Sequence, residues 1–450
     1  MSNQIPGTNN GSQIKLNNGI TTPEAKTPLK FLFVDTDSLN GDLAWRLCQE
    51  GHEVKYYIKF PEFQDVYDGF VEKVQRWEDY KDWADVIFFN YIGYGRIADA
   101  LRKSGKSVIG GSEYTDRLEK DREFGQQEMK NAGISVLSHS GFTDYESAIT
   151  FIRENPGRYV FKPSGEEIPK RFLFIGEEDS GNDLIEILSH NQKAWSRKIK
   201  KFQLQKYVYG VEVAVGAFFN GKDFIYPINV NFEHKKLFPG DIGPYTGEMG
   251  NLMFWSEPNK IFKMTLERMK PALEASGYVG YIDINCIANN NGIYPLEFTS
   301  RFGYPTISIQ LEGILNPPSE WLMRLVRGES YELRTKKGFQ IGVIVAVPPF
   351  PYEDKRGFEI YKDSSILFKK SNLEGIHLGD VKFVDGDWRL GGESGYALVV
   401  TGSGTTVAEA RKMAYNRIDN IMLQSKFYRT DIGLKWNTDS DKLQSWGYLY

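Results

Sequence analysis

The chain has 450 residues, 41% hydrophobic and 25% charged, with a formal net charge of −4. That length exceeds one ordinary core, so several packed units are expected, and the composition is that of a water-soluble globular protein. The slightly negative balance supplies no global field for nucleic acid, and no apolar run of 18 residues or N-terminal leader pattern suggests a membrane span or export.

Residues 1–28 are rich in Asn, Gly, Thr and Pro without apolar periodicity, and are expected to be a disordered tail. From Lys30 the segments FLFV, DLAWRLCQEG, EVKYYI, DVIFF, GRIADALRKSG and SVIG alternate strand and helix patterns. This rhythm predicts a Rossmann-like parallel sheet over 29–115. Residues 116–195 read as a small α+β lid, with a helix over 121–133 closed by Gly133, the helix YESAITFIREN, and the strands RYVFKPSG and RFLFIG.

Long strands dominate 196–335: FQLQKYVYG, VEVAVGAFFNGK, DFIYPINVN, YVGYIDINCIA and GIYPLEF. Continuous helices over 260–277 and 307–315 are expected to cover them. Past the linker NPPSEW and a helix over 322–327, residues 336–436 read as a separate β-rich unit. It contains QIGVIVAVPPFP, EIYK, GDVKFVDGDWRL and ALVVTGSG, and ends in a helix whose Thr406 and Glu409 have capping-box spacing. Residues 437–450 are expected to be a tail. The predicted class is multidomain α/β and α+β.

Cys48 and Cys286 both lie in apolar runs and read as reduced, buried thiols of an intracellular, cytoplasmic protein. The five histidines never take metal-ligand spacing, which argues against zinc. The basic run Lys193–Lys206 reads as a solvated helix face. Aromatic content of 14% suggests clefts lined by rings.

The strongest chemical constellation is the hairpin YIDINCIANNNGIYPLEFTSRFG. Tyr281, Asp283 and Asn285 share one strand face, and Glu297 and Thr299 share one on the next strand. With an odd loop, Asp283 would lie opposite Glu297, and two facing carboxylates need a proton or a divalent cation between them. Oxygen ligands from two acids suit Mg²⁺; a solvated face for both acids is the competing reading. Arg301 is a candidate anion holder or a surface ion-pair partner. Lys162, at a strand end, is placed to reach a phosphate or simply to be solvated. The excursion at 232–255 is long and Gly/Pro-rich, and its His234, Lys235 and Lys236 are candidates for an anionic substrate or ordinary surface charges. The TGSG at 401–404 reads as a strand-to-helix turn.

The stretches GGSEYTDRLEKDREF, FKPSGEEIPK, LQKYVYGVEV, EHKK with GDIGPYTGEMG, LEFTSRFG and FYRTDIG, in that order, resemble the ATP-grasp ligases, specifically the glycinamide ribonucleotide synthetase family. The likeness runs from about Phe31 to Trp436. It implies an ATP-grasp fold, ATP and Mg²⁺ (or Mn²⁺) as cofactors, and a small carboxylate such as glycine joined to an amine. It also implies a monomer or homodimer with no nucleic-acid or membrane partner. By resemblance, Arg122, Lys162 and Lys170 would meet the phosphates. Gln205, Lys206, Tyr207 and Val208 would form the adenine hinge, and Glu212 would lie near the ribose. Glu297, Thr299 and Asp283 would be the metal set, while Arg301, Lys170 and Lys235 would act in catalysis. Substrate contacts would come from His234, Lys235, Asp241, Thr246, Gly247 and Arg301.

The N-terminal half departs from that family. Where the family has a glycine-rich turn with an arginine and a histidine for a substrate phosphate, this chain has Asp35–Gly41. The Gly-Pro-Glu stretch before ADALR is replaced by FFNYIGYG. Asp35 and Asp37 would repel a phosphate and could hold a hydroxyl or an ammonium group instead. Three readings stand: a ligase with a different amine acceptor, which is favoured; an authentic phosphoribosylamine–glycine ligase; or a non-catalytic nucleotide-binding homologue.

Overall fold

The computed structural model describes residues 27–164, 172–352 and 354–449. Nearly all of the expected N-terminal tail, and Lys170 with its loop, lie outside the described residues.

The first unit is a five-stranded parallel sheet in the order Glu72–Lys73, Glu53–Ile58, Lys30–Asp35, Val86–Phe89, Val108–Ile109. The continuous apolar run FLFV suits a strand covered on both faces. Phe31 and Phe33 join one core with Leu43 and Leu47 of helix Gly41–Gln49, while Leu32 and Val34 join another with Trp77 and Ala98.

The lid is a four-stranded sheet ordered His139–Phe142, Lys201–Lys206, Tyr159–Ser164, Phe174–Ile175. It has its own core, in which Phe161 and Phe202 of the sheet pack on Ile149 and Leu188 of the helices Tyr145–Glu154 and Asn182–Trp195. Strand Lys201–Lys206, expected in the central unit, therefore belongs to this sheet. Helices Glu113–Lys120 and Arg122–Asn131 instead pack on central strand Gly292–Thr299, and Leu118 and Met129 join the main core.

The central sheet is antiparallel and eight-stranded: Gly292–Thr299, Val279–Asn289, Val211–Asn220, Phe224–Glu233, Gly250–Ser256, Phe339–Ala346, Tyr396–Gly404, Ile376–Leu378. Its last three strands come from the segment expected as a separate β-rich unit. Phe339–Ala346 and Tyr396–Gly404 are buried along most of their length, and pairing with Gly250–Ser256 satisfies backbone groups that water could not reach. Helix Val407–Ile418 covers this end and carries the expected capping box between Thr406 and Glu409.

Three local expectations differ. EIYK follows a short helix, Lys355–Phe358, whose first turn Asp354 caps, and forms a turn rather than a strand. The helix over 260–277 is broken into Lys260–Met264, a 3₁₀ turn and Lys270–Ala275, with Thr265 out of helical geometry and Pro271 in the last piece's first turn. The expected C-terminal tail contains helix Trp436–Ser445, and the Trp436 ring packs 5.3 Å from Phe232 and 5.1 Å from Phe339. Among the described residues no helix is long and apolar enough to cross a membrane.

Candidate active site

A cavity of about 570 Å³ separates the lid sheet from the central sheet. Apolar Val160 and Ile175 and the backbone run Gln205–Val208 line its lid side; Glu212, Lys235, Ile287 and Glu297 line the opposite wall. Strand Tyr159–Ser164 carries Lys162 into this space with only 9% of its surface exposed. Burial and then the nearby Arg122 guanidinium push the Lys162 ammonium down to about 8. Arg122 opens its helix immediately after the capping Asp121 and donates to the Pro163 carbonyl at 3.3 Å. A wall that presents two cations, with Glu297 as the acid acting on both, suits an anion.

Opposite, Lys235 is a cation among acids. Its Nζ lies 3.0 Å from Glu212, 3.2 Å from Glu233 and 3.7 Å from Glu297. Burial works against its charge, but Glu212 and then Glu233 hold the ammonium well above the usual lysine range. Asn285 ties the same acids together, its Nδ2 donating to Glu212 at 3.0 Å and Glu233 at 3.3 Å. The hinge side is ringed by aromatics: Arg158 stacks 3.8 Å over Tyr207 and donates to the Tyr209 hydroxyl. Buried Gln205 has an unpartnered Nε2.

The hairpin register corrects one expectation. Asp283 lies opposite Thr299, and Asn285 lies opposite Glu297. Asn289 pairs with Gly292, so the loop is an even, two-residue turn, and the register shifts between Asn285 and Cys286, where Leu296 is inserted. The four polar residues still share a face, but the two acids do not oppose each other. Glu297 reaches the cavity half-exposed, whereas Asp283 is 4% exposed. Burial and then the Glu233 and Glu119 carboxylates raise Asp283 well above the usual carboxylate range. Among the described residues no group of three His, Cys, Asp or Glu closes into a ready metal cage. Mg²⁺ needs none, since one or two carboxylates with substrate phosphates suffice.

The excursion after Glu233 is an ordered hairpin, Lys236–Phe238 with Ile242–Tyr245. Arg429 of FYRTDIG, with no exposed surface, pins it: the guanidinium meets Asp431 at 2.6 Å and Asp241 at 3.0 Å, and donates to the Lys236 carbonyl at 2.9 Å. Asp241 is thus held by Arg429 and Lys435. Thr246 donates to the Lys235 carbonyl at 2.8 Å, which sets the strand that presents Lys235. His234 is buried and accepts from the Gly433 amide; burial, then Arg429, push its imidazole down to about 4. Gly247 is exposed, with open space where a side chain would project.

Arg301 does not line the cavity with Lys162 and Lys235 and faces the junction with the N-terminal sheet. Its Nε is 3.2 Å from Glu119, and its charge acts on Tyr91 and Asp37. Asp35 organises its own turn, accepting from the Thr36 and Leu39 amides at 2.8 Å and from the Tyr56 hydroxyl at 2.7 Å. Two of these donors belong to the turn and Tyr56 to the neighbouring strand Glu53–Ile58, and Asp35 has 1% of its surface exposed. Asp37 is half-buried, and burial and then Asp35 raise it to about 7.

Glu233, Glu119, Asp380 and Arg429 were not singled out as site residues in the sequence. Glu119 and Arg429 do sit inside stretches that carry the family resemblance. Glu233 likewise lies in EHKK, two residues from its partner Lys235, whereas nothing local marked Asp380, which reaches Ser38 across the fold.

Comparison with known proteins bears on family and fold. The family model for the phosphoribosylglycinamide synthetase ATP-grasp (A) domain matches residues 120–307, and that for the C domain of the same synthetase matches 340–435. A phosphoribosylamine–glycine ligase of Streptococcus pneumoniae is 26% identical over 351 residues, spanning 75% of this chain and 81% of the relative. One from Listeria monocytogenes is 25% identical over 347 residues, with the same coverage. Among solved structures, the phosphoribosylamine–glycine ligase of Thermotoga maritima superposes with a TM-score of 0.71 at 22% identity, covering 90% of this chain and all of that one. A Campylobacter jejuni biotin carboxylase in an ATP complex gives 0.62 at 14% identity, covering 93% and 97%. At these identities the structural likeness speaks for the fold.

Proposed function

Because the chain belongs to the ATP-grasp phosphoribosylglycinamide synthetase family, we propose that it is an ATP-dependent carboxylate–amine ligase whose acceptor differs from phosphoribosylamine. The observation that carries the ligase reading is the paired wall chemistry of the cavity: Lys162 and Arg122 on one side, Lys235 among Glu212, Glu233 and Glu297 on the other.

Adenine would lie between Val160, Ile175 and Ile287, with its edge on the backbone at Gln205–Val208 and Glu212 toward the ribose. Lys162, Arg122 and Lys170 would meet the phosphates. Glu297 would hold Mg²⁺ together with phosphate oxygens, backed by Thr299 and Asp283; the ion would supply charge neutralisation on the transferring phosphoryl group. A carboxylate oxygen, from glycine or a similar amino acid, attacks the γ-phosphorus; a P–O bond forms, the bond to the bridging oxygen breaks and ADP leaves. The amine then attacks the acyl carbon. The C–N bond forms, the C–O bond breaks, phosphate leaves with the electron pair, and the surplus amine proton goes to solvent. Lys235 would offset the negative charge of the acyl phosphate from the cavity, and Arg301 from the junction with the N-terminal sheet. Fixed charges of this kind act by orientation and by electrostatics.

The cytoplasm suits this chemistry, and the two cysteines are unpaired. A screen of ADP release across amino acids and amines, with Glu297→Gln as control, tests the reading. Amine- and carboxylate-dependent ADP release that falls in the variant at fixed, sub-saturating Mg²⁺ is expected. ATP binding without ADP release from any pair would favour the non-catalytic alternative.

A further inference from the structure

A second polar cluster lies outside the ATP cavity, at the carboxyl ends of Lys30–Asp35 and Val86–Phe89. These neighbouring strands continue into connections on opposite sides of the sheet, the position where open α/β sheets form a crevice. Asp37 sits on the first turn, and Asp380 reaches it from the C-terminal segment. The Asp380 carboxylate accepts from Ser38 at 2.9 Å and from Ser394. Half-buried Tyr91, Tyr304, Tyr396 and Arg301 border these acids.

Acids alone would not make a site. The independent observation is Asn90, which has 1% of its surface exposed and, among the described residues, no hydrogen-bond partner for either side-chain amide atom. Val34 pairs with Phe89, so Asn90 stands beside Asp35, and strand alternation puts both on the face of Phe33 and Phe88. Those rings stack at 4.8 Å, and Phe88 lies 4.8 Å from Phe302, the neighbour of Arg301. Asn90 therefore presents an unsatisfied donor and acceptor toward the junction where Asp37 and Arg301 meet. Buried amides are ordinarily paired, and one left open at a crevice marks a ligand position.

Given the ligase reading, on which this assignment rests, we infer that the cluster receives the amine acceptor, and that this acceptor is a phosphate-free amine carrying positive charge, such as a diamine or an amino sugar. The turn 35–41 contains two aspartates and no cationic residue. The bordering cation, Arg301, is engaged by Glu119 at 3.2 Å. A phosphate dianion would meet Asp37 and Asp380 at close range, whereas an ammonium group gains from both. Burial raises both carboxyls to about 7, and the pull of Arg301 on Asp37 does not offset it. Asn90 and Tyr91 supply hydrogen bonds to hydroxyl or amino groups of the same molecule.

The test uses the full chain. Binding of 1,4-diaminobutane, glucosamine and ribose 5-phosphate is measured by calorimetry on wild type, Asp37→Asn and Asp380→Asn. ADP release with ATP, Mg²⁺ and glycine is measured with phosphoribosylamine and with the two cationic amines. The cationic probes are expected to bind at least tenfold more weakly to each variant, with the KM for ATP within twofold of wild type. Glucosamine or the diamine is expected to exceed phosphoribosylamine in kcat/KM. Tighter binding of ribose 5-phosphate, cation binding indifferent to both variants, or phosphoribosylamine as the best acceptor would overturn the assignment and leave the ligase reading standing. Aspartate-dependent cation binding without ADP release from any amine would do the reverse.

Discussion

The Nζ of Lys235 lies 3.0 Å from the Glu212 carboxylate, and the same ammonium serves Glu233 and Glu297 within 3.7 Å. Replacing it with methionine leaves three acids facing the cavity proposed to take a triphosphate. Glu212 and Glu297 are half-exposed, so water relieves part of the penalty and the melting temperature should fall only a few degrees. The rate should fall far more. Lys235→Met is expected to lower kcat for ADP formation about 100-fold, on the order of 2.7 kcal/mol, with partial recovery in Lys235→Arg. Steady-state kinetics with both variants check this.

Glu297 and Asp283 should separate in their response to magnesium. Glu297 is at the cavity surface, while Asp283 is buried opposite Thr299. Glu297→Gln is expected to raise the Mg²⁺ concentration for half-maximal rate at least tenfold. Asp283→Asn, which keeps size and polarity, should shift it by less than threefold. Equal shifts in the two titrations would place both carboxylates on the ion.

The difference between these two acids shows what the sequence made legible. Strand alternation correctly put Asp283, Asn285, Glu297 and Thr299 on one face, because side-chain period is a local property. Their pairing depended on a two-residue turn and an inserted Leu296, and neither has a reliable local signal. The parallel N-terminal sheet was readable from FLFV and the helix patterns that alternate with it. That strands 339–346 and 396–404 extend the central sheet was not, because an apolar strand declares that it is buried but not beside which partner. In the site, Arg122, Lys162 and Lys235 lie in sequence blocks whose resemblance could be read directly. Glu233 and Arg429 were visible only as members of motif stretches, and Asp380 acts through contacts across the fold.

Arg429 should be a positioning residue for the cavity. It is fully buried and binds Asp241, Asp431 and the Lys236 carbonyl, so it fixes the hairpin next to Lys235. Removing one partner from a fully buried network costs about 3–5 kcal/mol, and less here because Asp241 is 37% exposed and keeps Lys435. Arg429→Met is expected to lower thermal stability and to raise the KM for ATP at least fivefold in the protein that remains folded. Arg429→Lys should recover part of the stability but less of the KM, because an ammonium cannot reproduce the forked contacts. An unchanged KM in folded Arg429→Met would limit this residue to stability alone.

Asp380 gives the pH prediction. Burial holds its carboxyl up to about 7, Ser394 and Ser38 pull it down, and Asp37 and Asp65 push it up. Tyr67, Tyr304 and Tyr396 also face it. In the unfolded chain an aspartate titrates near about 4. Between those values the folded protein binds more protons than the unfolded chain. The contribution of Asp380 to stability is therefore complete below pH 4 and is lost as pH rises through 7. Asp380→Asn removes the ionisation while keeping an oxygen that accepts from Ser38 or Ser394. The variant's melting temperature relative to wild type should accordingly rise between pH 5 and pH 8, by about 2 °C on the scale of 1–2 kcal/mol in a chain of this size. Thermal unfolding of both proteins across that range measures it. A difference that stays flat or shrinks with pH would show that Asp380 is already ionised in the folded state.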